Sequence, residues 1–92
     1  MKETLFKNLT KLISEISLLK DSDKANGKKV LTSVDDIVSQ FNKGKYEDGP
    51  TELDLDENDL VRLKTMVDKI WEYAADKNVE VWPKPDIINK IG

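Results

Sequence analysis

The stretch from Glu57 to Lys77, ENDLVRLKTMVDKIWEYAADK, decides the fold class. Its apolar side chains recur at spacings of three and four residues, which places them along one side of an α-helix. The stripe consists of Leu60, Leu63, Val67, Ile70 and Ala74, flanked by Met66 and Trp71. The spacing predicts a helix over 57–77 with one side in an apolar core.

Two earlier segments have the same period. In the first, the stripe is Leu5, Leu9, Leu12, Ile16 and Leu19, widened by Phe6 and Ile13, and it predicts a helix over about 2–20. In the second, the stripe is Val30, Val34, Ile37 and Phe41, with Leu31 and Val38 beside it, and it predicts a helix over 28–43. Gly44 follows at the position just past a helix end, where left-handed backbone favours glycine.

The sequence allows two starting points for the second helix. In one, the helix begins near Lys28. In the other, Ser33 is the N-cap, Asp35 and Asp36 lie in the first turn, and residues 29–32 are extended. We favour the longer helix.

The last residues change character. In VEVWPKP, residues 79–85, valines alternate with Glu80 and Trp82, which is typical of an extended segment, and the two prolines exclude a helix. Residues 86–91 predict a short helical turn with its isoleucines facing inward. The chain is therefore predicted to be all-α. We expect a single domain over 1–92, built as a three-helix or four-helix bundle with a Trp/Pro-containing C-terminal tail.

Composition excludes several kinds of chemistry. The 92 residues contain no cysteine and no histidine. Disulfides, thiolate nucleophiles, Cys/His zinc sites and Ser-His-Asp triads therefore cannot occur. Carboxylates are numerous, but all fall on predicted solvated faces or in loops. We predict no enzyme activity, cofactor or metal. Charges interrupt the apolar start of the chain and no run reaches the length of a membrane span, so a cytoplasmic protein without membrane contact is expected.

Net charge is concentrated in one place. Residues 46–60, YEDGPTELDLDENDL, hold seven acids and no base, and we call them the acidic segment. The whole chain carries −3, so the remaining residues carry +4. An EF-hand calcium loop starting at Asp54 fails, because its sixth residue is Asp59 instead of glycine and its twelfth is Thr65 instead of glutamate.

A helix start explains part of the acidic segment. Asp56 lies at the N-cap position of the third helix, and Glu57 and Asp59 lie in its first turn, where the helix dipole favours anions. Four acids have no such role: Glu47, Asp48, Glu52 and Asp54. They form either a solvated loop or a docking surface for a basic partner, with Tyr46 beside them as an aromatic contact. Trp82 either fastens the tail over the helices or anchors a partner.

Lysines suggest an alternative. Lys20, Lys24, Lys28 and Lys29 cluster around a predicted polar break that ends at Gly27, so they could contact nucleic-acid phosphates. Arg62 is the chain's single arginine, and Asp35 and Asp36 lie where a recognition helix would meet bases, so nucleic acid is disfavoured. NGKKVLTS, residues 26–33, lacks the glycine spacing of a phosphate loop.

A small protein-binding module is the function that these patterns favour. It would act as an adaptor, inhibitor or chaperone-like accessory protein by docking on another protein. The apolar stripe of the first helix could also form a seam between two copies of the chain in a homodimer. In length, acidity and helical content the chain resembles small bacterial and phage accessory proteins, a resemblance of type that no motif accompanies.

Overall fold

A computed structural model describes residues 2–20, 23–46 and 55–91, and for 40–46 the description is of the backbone. These residues form four helices: α1 (Lys2–Ser17), α2 (Lys24–Tyr46), α3 (Glu57–Asp76) and α4 (Asp86–Lys90). None of the described residues lies in a strand. The predicted all-α bundle, with a short fourth helix, is thus confirmed. No helix within the described residues is long and apolar enough to cross a membrane.

The order of helices follows from the short α1–α2 connection and from contacts between the helix ends. Lys2 of α1 binds Asp59 of α3, and Arg62 lies over the ring of Phe6, so α1 and α3 run side by side in the same direction. Helix α2 packs against both and runs in the opposite direction, since Lys28 near its start pairs with Glu80 just beyond the end of α3. Helix α1 contacts α3 more extensively than it contacts α2.

The predicted stripes form the core. From α1 they contribute Leu5, Phe6, Leu9, Leu12 and Ile16; from α2, Val30, Leu31, Val34 and Val38; from α3, Leu63, Val67, Ile70, Trp71 and Ala74. Four of the five residues of the α1 stripe are buried within the chain itself, and Leu19 is partly buried. The homodimer stays a prediction.

Three helix boundaries differ from prediction by more than one residue. Helix α1 ends at Ser17 instead of residue 20, because its end tightens: the Leu19 amide donates to the Ile16 carbonyl, three residues back. Helix α2 begins at Lys24 instead of 28 and continues through Gly44 to Tyr46. Glycine inside a helix costs about 1 kcal/mol relative to alanine but does not forbid the helix, so the predicted stop at Gly44 is wrong. The prediction that residues 29–32 are helical is confirmed.

The tail, residues 79–91, starts from a sharp reversal at the end of α3. Asn78 has a φ of 60°, and the amides of Val79 and Asn78 donate to the carbonyls of Ala74 and Ala75. This paired arrangement is the Schellman motif, with asparagine in the left-handed position that glycine usually fills.

The tail then returns along α3 in the opposite direction. Its successive contacts on α3 move from Ala74 through Trp71 and Asp68 to Lys64. It ends in α4, which packs on α2 and α3. The buried tail side chains are Val79, Ile87, Ile88 and Ile91. The tail therefore takes the place of a fourth antiparallel helix, and the predicted inward direction of its isoleucines is confirmed.

Candidate interaction surfaces

Only the two ends of the acidic segment lie within the described residues. Its first residue, Tyr46, is the last residue of α2, and Leu55 near its other end is only 5% exposed. Of the predicted contact residues, the Tyr46 side chain and Glu47, Asp48, Glu52 and Asp54 lie outside the described residues. Trp82 is the one predicted contact residue whose side chain is described.

The other acids of the segment start helix α3 as predicted. The Asp56 carboxylate accepts a hydrogen bond from the Asp59 amide at 2.9 Å, and the Asp59 carboxylate accepts one from the Asp56 amide at 3.3 Å. This is a capping box, which satisfies two amides that would otherwise lack partners at the helix start. Glu57 is exposed in the first turn.

Asp59 also connects α3 to α1. The Lys2 ammonium donates to its carboxylate at 3.0 Å. This hydrogen bond, together with the attraction of the two charges, lowers the pKa of Asp59 below its ordinary value and raises the pKa of Lys2. Asp59 therefore contributes stability above its ordinary pKa, and that contribution is lost as pH falls through its lowered pKa.

Trp82 fastens the tail across the bundle. Its indole nitrogen donates to the Asp35 carboxylate of α2 at 2.5 Å, and its carbonyl accepts from the indole nitrogen of Trp71 on α3 at 2.7 Å. The two rings meet edge to face, with centroids 6.2 Å apart and planes at 83°. Trp71 is buried on the core side of α3, as predicted. Trp82 is half-buried, and the one hydrogen-bond donor of its side chain, the indole N–H, is used within the chain.

Asp35 is the residue that the sequence analysis missed. It was placed on a solvated face, yet it is half-buried beneath the tail. Burial raises its pKa, the hydrogen bond from Trp82 opposes that effect, and the nearby charge of Asp36 adds to it. Asp35 and Trp82 are 47 residues apart, and no local pattern links them.

The four lysines that would contact nucleic acid in the alternative function lie around the start of α2. Lys20 precedes the helix, whereas Lys24, Lys28 and Lys29 lie in its first turns, and all four are exposed. Lys28 is paired with Glu80 at 3.4 Å. At 1.5 Å per residue, the 23 residues of α2 separate this end from the acidic segment by about 35 Å.

A shallow groove of about 470 Å³ runs between the starts of α1 and α3. Two of its three cations have partners in the chain: Lys2 binds Asp59, and the Arg62 guanidinium lies 4.3 Å from the centre of the Phe6 ring. The third, Lys7, is exposed. The groove lies between the two parallel helices, and the charges of the side chains that line it are largely balanced.

Within the parts of the chain that the structure describes, no three acidic side chains gather closely enough to hold a metal ion. Comparisons of the chain with protein-family models, with curated proteins and with solved structures find no match.

Proposed function

We propose that the protein is a small binding module that docks on another protein through the acidic segment. The observation that carries the proposal is the charge distribution: fifteen residues hold −7, whereas the remaining residues hold +4. The partner surface is expected to be basic.

The position of the segment between two helices supports this role. Helix α2 ends at Tyr46, and α3 begins after the buried Leu55 and the capping box at Asp56. Between these two helices, residues 47–54 include four acids that take no part in starting α3. The four acids are therefore close together in sequence, at the connection between α2 and α3.

Clustered acids repel one another, so such a cluster lowers stability unless something offsets it. A basic partner would offset it, and a concentrated field of one sign would also speed the encounter. Opposite charges across an interface contribute more to specificity than to affinity. Salt screens such charges, so we expect the binding to weaken as the salt concentration rises.

The test compares three forms of the protein as bait in lysate of the cells that express it. The first is wild type, and the second carries Glu47→Gln, Asp48→Asn, Glu52→Gln and Asp54→Asn. The third is a matched control with the same change of charge at exposed positions of the helices: Glu15→Gln, Asp36→Asn, Glu72→Gln and Asp76→Asn. Thermal unfolding verifies that all three forms are folded.

The expected result is a partner that wild type and the helix control retain, that the segment variant loses, and that salt releases. Purified partner and isothermal titration then give the affinities. Equal retention by all three forms would contradict the proposal, because removing the charges of the acidic segment would then have no effect on binding.

The nucleic-acid alternative rests on one observation, the exposure of Lys20, Lys24, Lys28 and Lys29 at the start of α2. It predicts retention on heparin or DNA that falls steeply with salt and is lost when these lysines become glutamine. The acidic-segment variant would retain this binding, so the two functions are separable with the same proteins.

A further inference from the structure

The start of α2 contains the chain's one asparagine–glycine step, Asn26-Gly27. In such a step the backbone nitrogen of glycine attacks the side-chain carbonyl carbon of asparagine, because no side chain on the glycine obstructs the approach. A five-membered imide forms, and the glycine amide proton leaves with the asparagine NH2 group as ammonia. Water then opens the imide at one of its two carbonyls, which gives aspartate or isoaspartate. Each of the other five asparagines precedes a residue with a side chain.

Asp23, directly before α2, holds both reacting groups in the folded chain. Its carboxylate accepts a hydrogen bond from the Asn26 side-chain amide at 2.8 Å, and its carbonyl accepts one from the Gly27 amide at 3.4 Å. The second distance is longer than the roughly 2.7–3.2 Å of ordinary N–H···O bonds, so this bond is weak. The imide ring requires a backbone torsion of Asn26 outside the helical range. The turn must therefore open before the nitrogen attacks.

The local features of this turn favour opening. Lys24 and Asn26 are exposed, and α2 has no acid in its first turn that would interact favourably with the helix dipole. Gly27 is less favourable in a helix than alanine by about 1 kcal/mol. Helix ends also open at a lower free energy than the core. Asn26 lines an open depression of about 420 Å³, so water has access to its side chain.

The tail opposes this opening. Gly27 is buried, and the side chain of Val79 fills the space where a β-carbon of residue 27 would lie. Next to this contact, Lys28 is paired with Glu80 at 3.4 Å. Val79 is only 4% exposed, so the turn cannot unwind at Gly27 without disturbing a buried contact.

We propose that Asn26 is a site of spontaneous deamidation, that the contact between Gly27 and Val79 limits its rate, and that the isoaspartate product releases the start of the tail from α2. Isoaspartate adds one carbon to the main chain before Gly27. The added carbon shifts Gly27 relative to Asp23, so the first hydrogen bond of the helix is lost and Gly27 no longer fits against Val79. Because ammonia leaves, the change is irreversible. It does not depend on the acidic segment.

The first test incubates the purified full-length chain at neutral pH and follows every asparagine by peptide mapping. Mass spectrometry detects the exchange of NH2 for OH, and electron-transfer fragmentation distinguishes isoaspartate from aspartate. Wild type is compared with Val79→Ala, which loosens the contact with Gly27. The matched control is Val67→Ala, which removes the same atoms from a fully buried side chain nearer the middle of α3. Thermal unfolding verifies that each form is folded during the incubation.

We expect Asn26 to react while the other five asparagines remain intact. Val79→Ala should react about fivefold faster than wild type, which corresponds to a decrease of about 1 kcal/mol in the free energy of opening. Val67→Ala should react more slowly than Val79→Ala. A reaction at Asn26 no faster than at the other asparagines overturns the proposal. Equal or greater acceleration by Val67→Ala also overturns it, because deamidation would then proceed from the globally unfolded chain.

The second test measures what the product does to the fold. Ion exchange isolates the deamidated protein, in which chains with aspartate and chains with isoaspartate have the same charge. Asn26→Asp is the matched control, since it has this charge on an ordinary backbone. In urea, a fraction equal to the isoaspartate content should unfold at lower denaturant than Asn26→Asp, and the fluorescence of Trp82 should differ in the native state. Coincident unfolding curves and equal fluorescence would show that the tail remains in place.

Discussion

The Asp35 carboxylate holds Trp82 of the tail in place, but its partial burial is unfavourable for the charged form of the carboxylate. It accepts the indole hydrogen of Trp82, and burial raises its pKa. A carboxylate whose pKa is raised in the folded state binds protons more readily there than in the unfolded chain. Stability should therefore increase as pH falls from the raised pKa toward the ordinary one, opposite in direction to the effect of Asp59.

Two substitutions separate the charge of Asp35 from its hydrogen bond. Asp35→Asn retains an oxygen acceptor without charge, so we expect unchanged or slightly higher stability at neutral pH. Asp35→Ala leaves the Trp82 indole without this acceptor and should cost about 1 kcal/mol. Urea unfolding of each variant across pH checks both expectations. If wild type lost stability relative to Asp35→Asn on acidification, the sign of the pKa shift would be wrong.

At the level of elements, Gly27 controls how closely the tail can approach α2. The residue was expected in a loop, yet it lies in the first turns of α2 and is buried. A β-carbon added there would overlap the side chain of Val79. The glycine therefore permits a helix–tail contact, and its absence of a side chain matters more here than its backbone freedom.

Gly27→Ala should consequently destabilise the protein, although alanine favours the helix by about 1 kcal/mol over glycine. The overlap with Val79 outweighs this gain. In a Val79→Ala background the overlap is removed, so the same substitution should become neutral or stabilising. Urea unfolding of wild type, both single variants and the double variant measures this coupling. Additive effects would contradict the proposed contact.

The sequence predicted the elements well where the signals are local. Asp56 as the N-cap of α3 is a local signal, and the apolar stripes repeat every three or four residues, so both were predicted. The reciprocal bond from the Asp56 amide to the Asp59 carboxylate was not. Gly44 and Gly27 predict a helix end and a break between helices, but both lie inside α2, because glycine is compatible with a helix as well as with its end. The Asp35–Trp82 contact joins residues 47 positions apart, so only the packed structure shows it.

The same limit applies to the candidate sites. Charge counting locates the acidic segment directly, because charge is a property of composition. The role of Trp82 depends on its partners Asp35 and Trp71, which lie on two other helices. The sequence therefore singled out Trp82, whereas only the packed structure shows what its side chain and its carbonyl bind.

At the scale of the whole molecule, the tail is part of the core. It contributes four buried apolar side chains: Val79, Ile87, Ile88 and Ile91. Full burial of such a side chain contributes about 1.5–3 kcal/mol, and small domains have about 5–15 kcal/mol of net stability. A chain shortened to end at Asn78 should therefore lose its cooperative thermal transition, as measured by far-UV circular dichroism.

A control keeps this experiment specific to the core. Val81→Ser changes an exposed side chain of the same tail and should leave the melting curve unchanged. A cooperative transition of the shortened chain near that of wild type would mean that the three long helices are sufficient alone.

The parallel arrangement of α1 and α3 has a consequence for synthesis. The contact between Lys2 and Asp59 spans 57 positions, and α1 makes its most extensive contacts with α3. At about 5–20 residues per second, a ribosome needs several seconds to extend the chain from α1 to the end of α3. During that interval the apolar stripe of α1 lacks its main partner, so we expect the nascent chain to expose this stripe until α3 has been synthesised.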